Sequence, residues 1–346
     1  MKLPISPPFP PMEALSATEL PQGPAWQYEP KWDGFRCLAW RDAAEVELQS
    51  KSGQPLARYF PDIVAALTEY AAGRFVLDGE LVIPVAGDLS FGDLQLRLHP
   101  AASRVRKLAA EHPAVMLAFD LLVDERGKLL TGLPLSERRQ RLEEFFTRHG
   151  ETATLKLSPA TNNLEVARRW LRTMGGGLDG IIAKRLDALY ESGERSGSMQ
   201  KIKDLRSADC VVGGFRYASK GEVVGSLLLG LYGDDGLLHH VGFTSAIPAS
   251  EKKALTGKLE KLRKAPGFTG NAPGGPSRWS AERTGEWEPL DPRLVVEVQY
   301  DHFTGGRFRH GTRLLRWRPD KDPRQCTMAQ VTHESRSPLG LLAAGL

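Results

Sequence analysis

The pattern of apolar residues changes near residue 204, and this change predicts two structural regions. The earlier region mixes short, almost continuous apolar runs, typical of buried strands, with helical stretches. The predicted strands are Val46–Ser50, Arg74–Val82, Ala114–Leu122 and Leu178–Lys184, and the predicted helices are Phe60–Ala72, Leu135–His149 and Ser158–Thr173. Mixed elements of this kind favour the α+β class.

The later region is mostly β. Its predicted strands are Cys210–Tyr217, Ser226–Tyr232, Leu237–Thr244, Leu294–Asp301 and Leu314–Arg318, with one helix at Ser250–Leu262. About five short strands with an inserted helix fit a small Greek-key barrel of the OB type. We therefore expect one domain over residues 1–204, an OB-fold β-barrel over residues 205–330 and a C-terminal tail over residues 331–346.

Composition is that of a soluble protein with two cores. The 346 residues are 41% hydrophobic and 25% charged. No apolar run approaches the ~20 residues of a membrane span, and the first residues lack an apolar signal core. The three cysteines, Cys37, Cys210 and Cys326, are scattered, which argues against a disulfide framework or a zinc site. We expect a cytoplasmic protein that does not enter a membrane.

Positive charge is concentrated near the C-terminus. The chain carries a net charge of +4, and residues 307–324 contain seven Lys and Arg against two Asp. A polyanion such as nucleic acid would explain this run, and a solvated charged face explains it equally well.

The octapeptide from Glu29 to Arg36, Glu-Pro-Lys-Trp-Asp-Gly-Phe-Arg, places Lys31 on a predicted strand that leads into a turn. A lysine amine attacks phosphorus only when it is unprotonated, a state that burial or nearby cations favour. Trp32 and Phe35 argue for partial burial, against the alternative of an exposed surface lysine. Glu29 lies on the same face as Lys31, and Arg36 offers a fork of donors for hydroxyl or phosphate oxygens.

Two later strands carry acids in apolar surroundings. Glu80 lies in the run Leu77–Leu81, and Asp179 lies at the start of Leu178–Lys184. A charge in such a run is costly unless it has a partner or a metal, so both are candidate metal ligands. Phe119, near the end of a buried strand, can stack on a base, although a core position is the commoner fate of an isolated phenylalanine.

Further cations follow along the chain. Lys51 lies in a turn, where an ordinary hairpin tip is the simpler interpretation. Arg195 precedes Lys201 and Lys203, which share one face of a predicted strand and repel each other unless they share an anion. With Lys31 and the acids, these residues indicate a nucleotide site with an activated α-phosphate. A P-loop and a convincing GxGxxG are both missing from the sequence.

The segment Lys31–Arg36 resembles the KxDGxR motif of the covalent nucleotidyltransferases, specifically of the ATP-dependent DNA ligases. Later segments resemble the following motifs of the family in the same order: Asp78-Gly79-Glu80, Phe119-Asp120, Asp179–Lys184 and Lys201-Ile202-Lys203. Near the C-terminus, Arg316–Lys321 resembles the RxDK motif of the family. The resemblance is to the compact bacterial ligases of the ligase C type. It implies a nucleotidyltransferase (ATP-grasp-like) adenylation domain with antiparallel sheets, followed by an OB domain.

The resemblance also implies a reaction in three steps. Lys31 attacks the α-phosphate of ATP, the AMP moves to the 5′-phosphate of a nick in duplex DNA, and the 3′-hydroxyl then seals the strand. Glu29 would read the adenine edge and Arg36 the ribose. Lys201 and Lys203 would hold the α-phosphate.

Other implied roles concern the base, the metal and the phosphates. Phe119 would stack on the base, and Glu80 and Asp179 would lie near Mg²⁺ (or Mn²⁺) or the ribose. Lys51 would contact the nick phosphate, and Arg195 the nucleotide. Three residues of the OB domain would orient pyrophosphate when that domain closes: Arg318, Asp320 and Lys321. The expected enzyme is a monomer that acts in DNA repair in the bacterial cytoplasm, at the nucleoid.

Three positions depart from the family pattern. Lys51 is usually arginine, so the bidentate fork is lost. Asp179 is usually glutamate and is one methylene shorter, and Met199 is often tryptophan. None of these departures removes the nucleophile or the paired lysines.

Other interpretations remain open on the sequence alone. An RNA ligase or a capping guanylyltransferase would share Lys31 and the OB domain. A non-catalytic nucleic-acid-binding OB protein would explain the basic run but not Lys31 or Glu80. An NAD⁺-dependent ligase is disfavoured because its cysteine-rich zinc segment is missing.

Overall fold

The computed structural model describes residues 2–173, 178–219, 221–274, 286–332 and 337–343. The chain divides into two compact units, residues 1–203 with 335–346 and residues 204–334. Each unit has a hydrophobic core of its own.

The first unit contains both strands and helices. Its strands are β1 (Glu13–Ala17), β2 (Trp26–Trp32), β3 (Phe35–Asp42), β4 (Glu45–Ser50), β5 (Arg74–Val82), β6 (Pro84–Val85), β7 (Asp88–Leu89), β8 (Val115–Val123), β9 (Leu155–Leu157), β10 (Leu178–Arg185) and β11 (Arg195–Ile202). Its helices up to residue 203 are α1 (Pro61–Glu69), α2 (Phe91–Leu96), α3 (Ala102–Glu111), α4 (Leu135–His149) and α5 (Leu164–Thr173).

Two sheets organise this unit. The larger sheet has the strand order β4-β3-β5-β8-β9, and the smaller has the order β1-β11-β10-β2. Most neighbouring strands are antiparallel, as the resemblance implied, but the β1–β11 and β8–β9 pairs at the sheet edges are parallel. The motif residues are distributed over both sheets.

Strands β5 and β8 lie inside the larger sheet because their sequences are almost continuously apolar. Their apolar side chains pack with helix residues such as Leu67 and Phe145 in one buried cluster. On β8, the buried Asp120 carboxylate receives two hydrogen bonds from the Arg138 guanidinium of α4, at 2.9 and 3.0 Å. A buried charge of either sign is tolerable only when it is paired in this way.

Among the elements of this unit that the sequence missed or misplaced are strand β3 and the start of α5. Strand β3 lies between β4 and β5 but was not predicted. The helix predicted over Ser158–Thr173 begins only at Leu164, because the Ser158 amide donates to the Ala118 carbonyl in an extended segment. Asn163 caps that helix by accepting from the amides of Glu165 and Val166.

The second unit is mainly β. Its strands are β12 (Arg206–Tyr217), β13 (Val224–Tyr232), β14 (Leu238–Thr244), β15 (Glu288–Pro289), β16 (Val295–Tyr300), β17 (Phe303–Thr304), β18 (Arg307–Phe308) and β19 (Arg313–Trp317), and its α-helix is α6 (Ala249–Glu260). The sheet order is β14-β13-β12-β16-β19, with β15 paired to β12. An isolated β-bridge joins Thr244, the last residue of β14, to Thr312, the residue before β19, and so connects the two edges of this sheet. The predicted α+β class is confirmed.

The residues after 330 belong to both units. Val331 is buried in the core of the second unit. Helix α7 (Gly340–Ala343) contributes Leu341 to a buried cluster of the first unit that also contains Trp32. In the described ranges, no helix combines the length and the apolar character that crossing a bilayer requires.

Candidate active site

The first unit contains a cavity of about 1110 Å³, slightly above the roughly 300–1,000 Å³ of most small-molecule sites. Residues of both sheets line it. Seven of the residues that the sequence singled out are among them: Glu29, Lys31, Arg36, Lys51, Glu80, Phe119 and Lys201. Met199, the position that departs from tryptophan, lines the cavity as well.

Lys31 lies near the end of β2 at the cavity wall, two residues before the turn that connects β2 to β3. That turn contains Gly34 and needs a glycine at this position, because a β-carbon there would overlap the carbonyl oxygen of Leu81 on β5. The backbone of the turn therefore lies directly against the larger sheet. This close approach ties the position of Lys31 to that of Glu80, the neighbour of Leu81.

Asp179 joins Lys31 to Lys203. One carboxylate oxygen of Asp179 contacts the Lys31 Nζ, and the other lies 3.1 Å from the Lys203 Nζ. The pairing of β10 with β2 shifts register around Gly180, whose φ of 125° suits glycine. Although burial opposes ionisation, the two ammonium groups lower the pKa of Asp179.

Glu29 is almost fully buried and doubly hydrogen-bonded. Its carboxylate accepts from Gln27 Nε2 at 2.8 Å and forms an ion pair with Lys184 Nζ at 2.7 Å. The Lys184 ammonium also lies over the ring of Phe119, 4.5 Å from its centroid. These contacts fix Glu29 and Phe119 at the same end of the site.

Arg36 is fixed by a partner that the sequence did not single out. Its guanidinium donates to both oxygens of Asp78, at 2.9 and 2.6 Å, and lies over the Phe119 ring at 5.2 Å. The Tyr190 hydroxyl donates to the same Asp78 carboxylate at 2.6 Å. The sequence analysis noted Asp78 only as part of a motif. No sequence pattern pointed to Tyr190, because its partner Asp78 lies 112 residues away in sequence.

The two predicted metal ligands are Glu80 and Asp179. Burial raises the pKa of the Glu80 carboxyl to about 8, against the lowering effect of the Lys31 and Arg36 charges. In the described ranges, no three His, Cys, Asp or Glu side chains are placed to share a metal. One or two carboxylates completed by substrate phosphates and water are, however, the usual ligands of Mg²⁺ at nucleotide sites. This donor set fits such an ion.

Cations surround Lys201. Burial and the positive charges of Lys31, Arg195, Lys51 and Lys203 lower the pKa of the Lys201 amine. A phosphate would relieve this mutual repulsion, because it brings negative charge and several acceptor oxygens.

Lys51 and Arg195 meet at an acid that the sequence analysis missed. Glu13 Oε2 contacts the Arg195 guanidinium and lies 2.9 Å from the Lys51 Nζ. Glu13 is also a wall residue of the cavity. A lone glutamate in a five-residue strand gives no pattern, so no sequence signal pointed to it.

The three remaining predicted residues lie in the second unit. Arg318 is ion-paired with Asp320 and, at 2.8 Å, with Asp209, which is also 3.7 Å from the Lys321 Nζ. Asp209 was not singled out from the sequence. The basic run is thus partly neutralised by acids of its own unit.

Comparison with known proteins identifies the family. The family model "ATP dependent DNA ligase domain" matches residues 11–203, and "ATP dependent DNA ligase C terminal region" matches residues 220–321. DNA ligase C2 of Mycolicibacterium smegmatis is 46% identical over 347 aligned residues, covering 96% of each chain. DNA ligase C of Mycobacterium tuberculosis is 43% identical over 362 aligned residues, covering 100% of each chain.

Among solved structures, a Lig E DNA ligase aligns with a TM-score of 0.53 over 88% of this chain and 99% of its own, at 17% identity, which shows a shared fold. The chain belongs to the ATP-dependent DNA ligase family. The predicted family, ligase C type and enzyme class are confirmed. Membership implies that the enzyme uses ATP and a divalent metal and acts on nicked DNA. The alternative of a non-catalytic OB protein is excluded.

Proposed function

We propose that this enzyme seals nicks in duplex DNA through an adenylate carried on Lys31. The observation that carries the proposal is the position of the Lys31 amine. It lies at the wall of the cavity, in contact with Asp179, in the unit where Glu29 and Phe119 line the same cavity. An amine so placed can attack a phosphorus atom bound in that cavity.

In the first step the Lys31 nitrogen attacks the α-phosphorus of ATP, and the bond to pyrophosphate breaks. Asp179 contacts Lys31 and orients its amine, whose displaced protons pass to solvent, while Lys201 and Lys203 offset the negative charge that develops on the phosphate. The AMP then moves to the 5′-phosphate of the nick. Attack by the 3′-hydroxyl joins the strand and releases AMP.

The nucleotide is held at its base and ribose by groups that are already fixed. Phe119 stacks on the adenine, whose edge is read by Glu29, and Arg36 contacts the ribose. Because Asp78 and Lys184 hold these side chains in place, little conformational entropy is lost on binding.

Glu80 and Asp179 would hold Mg²⁺ (or Mn²⁺). A bound divalent ion supplies charge stabilisation for the phosphate that is attacked and for the leaving pyrophosphate.

Other roles complete the proposal. Lys51 contacts the nick phosphate and Arg195 the nucleotide, while Arg318, Asp320 and Lys321 of the second unit orient pyrophosphate. The residues 1–204, 205–330 and 331–346 act as adenylation domain, OB domain and tail. We also propose that the enzyme works as a monomer in DNA repair at the bacterial nucleoid, in the cytoplasm.

The test compares ATP with GTP as the nucleotide donor, and DNA with RNA as the strand that is sealed. The full-length enzyme, incubated with α-³²P-ATP or α-³²P-GTP and Mg²⁺, is expected to become labelled from ATP only. It should then seal a DNA nick in a labelled duplex. Labelling from GTP alone would support a capping guanylyltransferase, and sealing confined to RNA strands would support an RNA ligase.

A further inference from the structure

Two cations converge on one carboxylate oxygen of Glu13, a residue that lines the cavity. Glu13 Oε2 receives the Arg195 guanidinium and the Lys51 ammonium, the latter at 2.9 Å. About half of each cationic side chain is exposed, with 52% for Arg195 and 53% for Lys51. Both are therefore accessible to a ligand from solution.

The backbone fixes this arrangement. Strand β1 runs parallel to β11, with Glu13 in register with Arg195. The Glu13 amide donates to the Glu194 carbonyl at 2.8 Å. Lys51 reaches the same point from the turn after β4, in the other sheet. Glu13 is thus held between two cations that come from separate elements.

Two carboxylates each bridge a pair of cations at the site. Asp179 joins Lys31 to Lys203, and Glu13 joins Lys51 to Arg195. Hydrogen bonds from Arg195 and Lys51 lower the pKa of Glu13 to about 2, so it is ionised at any working pH. Its negative charge is a permanent part of the free enzyme.

We propose that the Glu13 carboxylate is an internal stand-in for a phosphate group of the substrate, which displaces it from Lys51 and Arg195 on binding. The inference rests on the proposed function. A phosphate carries more charge than a carboxylate and offers three acceptor oxygens, so it can engage both cations at once. In the free enzyme Glu13 keeps the two side chains together and makes binding of other anions less favourable.

The phosphate has two chemical sources, the 5′-phosphate of a nick and the phosphates of ATP. If Glu13 competes with either group, removal of its charge without loss of its shape should tighten binding of that group. Glu13→Gln makes this change. It keeps an oxygen that can accept a hydrogen bond but removes the repulsion between two anions.

The experiment uses the full-length enzyme and two measurements. Affinity for a nicked duplex with a 5′-phosphate, and for the same duplex with a 5′-hydroxyl, is measured in EDTA so that no chemistry occurs. The KM for ATP in self-adenylylation is measured separately. Glu13→Gln is expected to tighten binding of the phosphorylated nick by about three- to tenfold and leave the 5′-hydroxyl nick within about twofold. A lower KM for ATP instead would assign the ATP phosphates as the displacing group.

Two further variants serve as controls. Glu19→Gln removes an exposed charge from the same unit and should leave the ratio of the two nick affinities unchanged. In an Arg195→Ala background the effect of Glu13→Gln should shrink, because one of the two released cations is missing.

The inference would be overturned if Glu13→Gln bound the phosphorylated nick no more tightly than the unmodified enzyme and did not lower the KM for ATP. Glu13 would then be neutral or would help to bind the phosphate. Failure of the proposed function is a separate outcome. It would appear as a wild-type enzyme that neither becomes adenylylated nor seals a nick.

Discussion

Among single residues, Asp78 links the nucleotide site to the interior of the first unit. It is fully buried, receives both donors of the Arg36 fork and accepts a third hydrogen bond from Tyr190. Tyr190 is itself buried and accepts a hydrogen bond from the Met12 amide at 3.2 Å. Arg36 is therefore positioned by buried residues that are not among those lining the cavity.

Replacement of Tyr190 by Phe should weaken this support. The change leaves Asp78 and the Met12 amide each short of one buried partner, which is expected to lower the free energy of unfolding by about 1–3 kcal/mol. Because Arg36 is then held less firmly, the KM for ATP in self-adenylylation should rise several-fold. Denaturant unfolding and initial rates of labelling measure the two effects.

Tyr70→Phe is the matched control. The Tyr70 hydroxyl donates to the Gly150 carbonyl at 2.6 Å, among aromatic side chains away from the cavity. We expect lower stability but an unchanged KM for ATP. If both variants change the KM alike, Tyr190 acts only through global stability.

At this scale the sequence predicted residues that belong to motifs and missed their partners. Lys31, Glu29 and Phe119 stand in recognisable segments, and all three line the cavity. Glu13 and Tyr190 could not be found in this way. Their partners lie 182 and 112 positions away, and only the folded sheets bring them together.

At the scale of elements, the β2–β3 turn has the least room for change. A β-carbon at Gly34 would meet the Leu81 carbonyl oxygen and the Glu80 side chain. A carbonyl inside a sheet cannot move aside without breaking strand pairing. The turn and β5 must therefore stay in register for Lys31 to reach the cavity.

Gly34→Ala is expected to destabilise the first unit by about 1–3 kcal/mol, the usual effect of overpacking. Self-adenylylation should fall more than stability alone explains, because displacement of the turn shifts the adjoining end of β2, where Lys31 lies. Thermal unfolding and labelling with α-³²P-ATP, both on the full chain, check this. Gly73→Ala is the control, since a β-carbon at Gly73 meets no atom within 4 Å. Equal behaviour of the two variants would contradict the close approach.

Element predictions succeeded where the apolar pattern was continuous. Strand β5 has the predicted bounds, Arg74–Val82, because both of its faces are largely buried. Strand β3 was missed because Arg36 and Arg41 interrupt its apolar run, although both side chains are partnered in the fold. The early start predicted for α5 overlooked Asn163, a cap residue that the sequence does contain.

At the scale of the whole molecule, the division of the chain follows from its change in pattern. The strands predicted after residue 204 all occur in the second unit, with their starts shifted by one to four residues and their ends by at most one. The pairing of the basic run was not predictable. Glu297 and Asp209, which neutralise part of it, come from strands distant in sequence.

Because these ion pairs occupy some arginines of the basic run, the arginines should contribute unequally to the salt dependence of DNA binding. Arg313 is exposed, and no carboxylate partner for it is found in the described part of the chain, whereas Arg316 donates to Glu297 at 2.6 Å. Log affinity for nicked DNA should fall linearly with log salt. Arg313→Ala should reduce the slope by about 1 if it contacts one phosphate, and Arg316→Ala should reduce it less. Fluorescence anisotropy at several salt concentrations gives the slopes. A flat response of the unmodified enzyme would count against DNA binding by this run, and equal effects of both variants would contradict the protective role of the Arg316–Glu297 pair.

The central claim, that Lys31 carries the adenylate, is tested most directly by locating the modification. The full-length enzyme is incubated with ATP and Mg²⁺, digested, and analysed by tandem mass spectrometry. We predict an acid-labile adenylyl group on the Lys31 side chain, and its complete loss in Lys31→Arg, which keeps the positive charge near Asp179. An adenylyl group on any other residue, or labelling that persists in Lys31→Arg, would contradict the account.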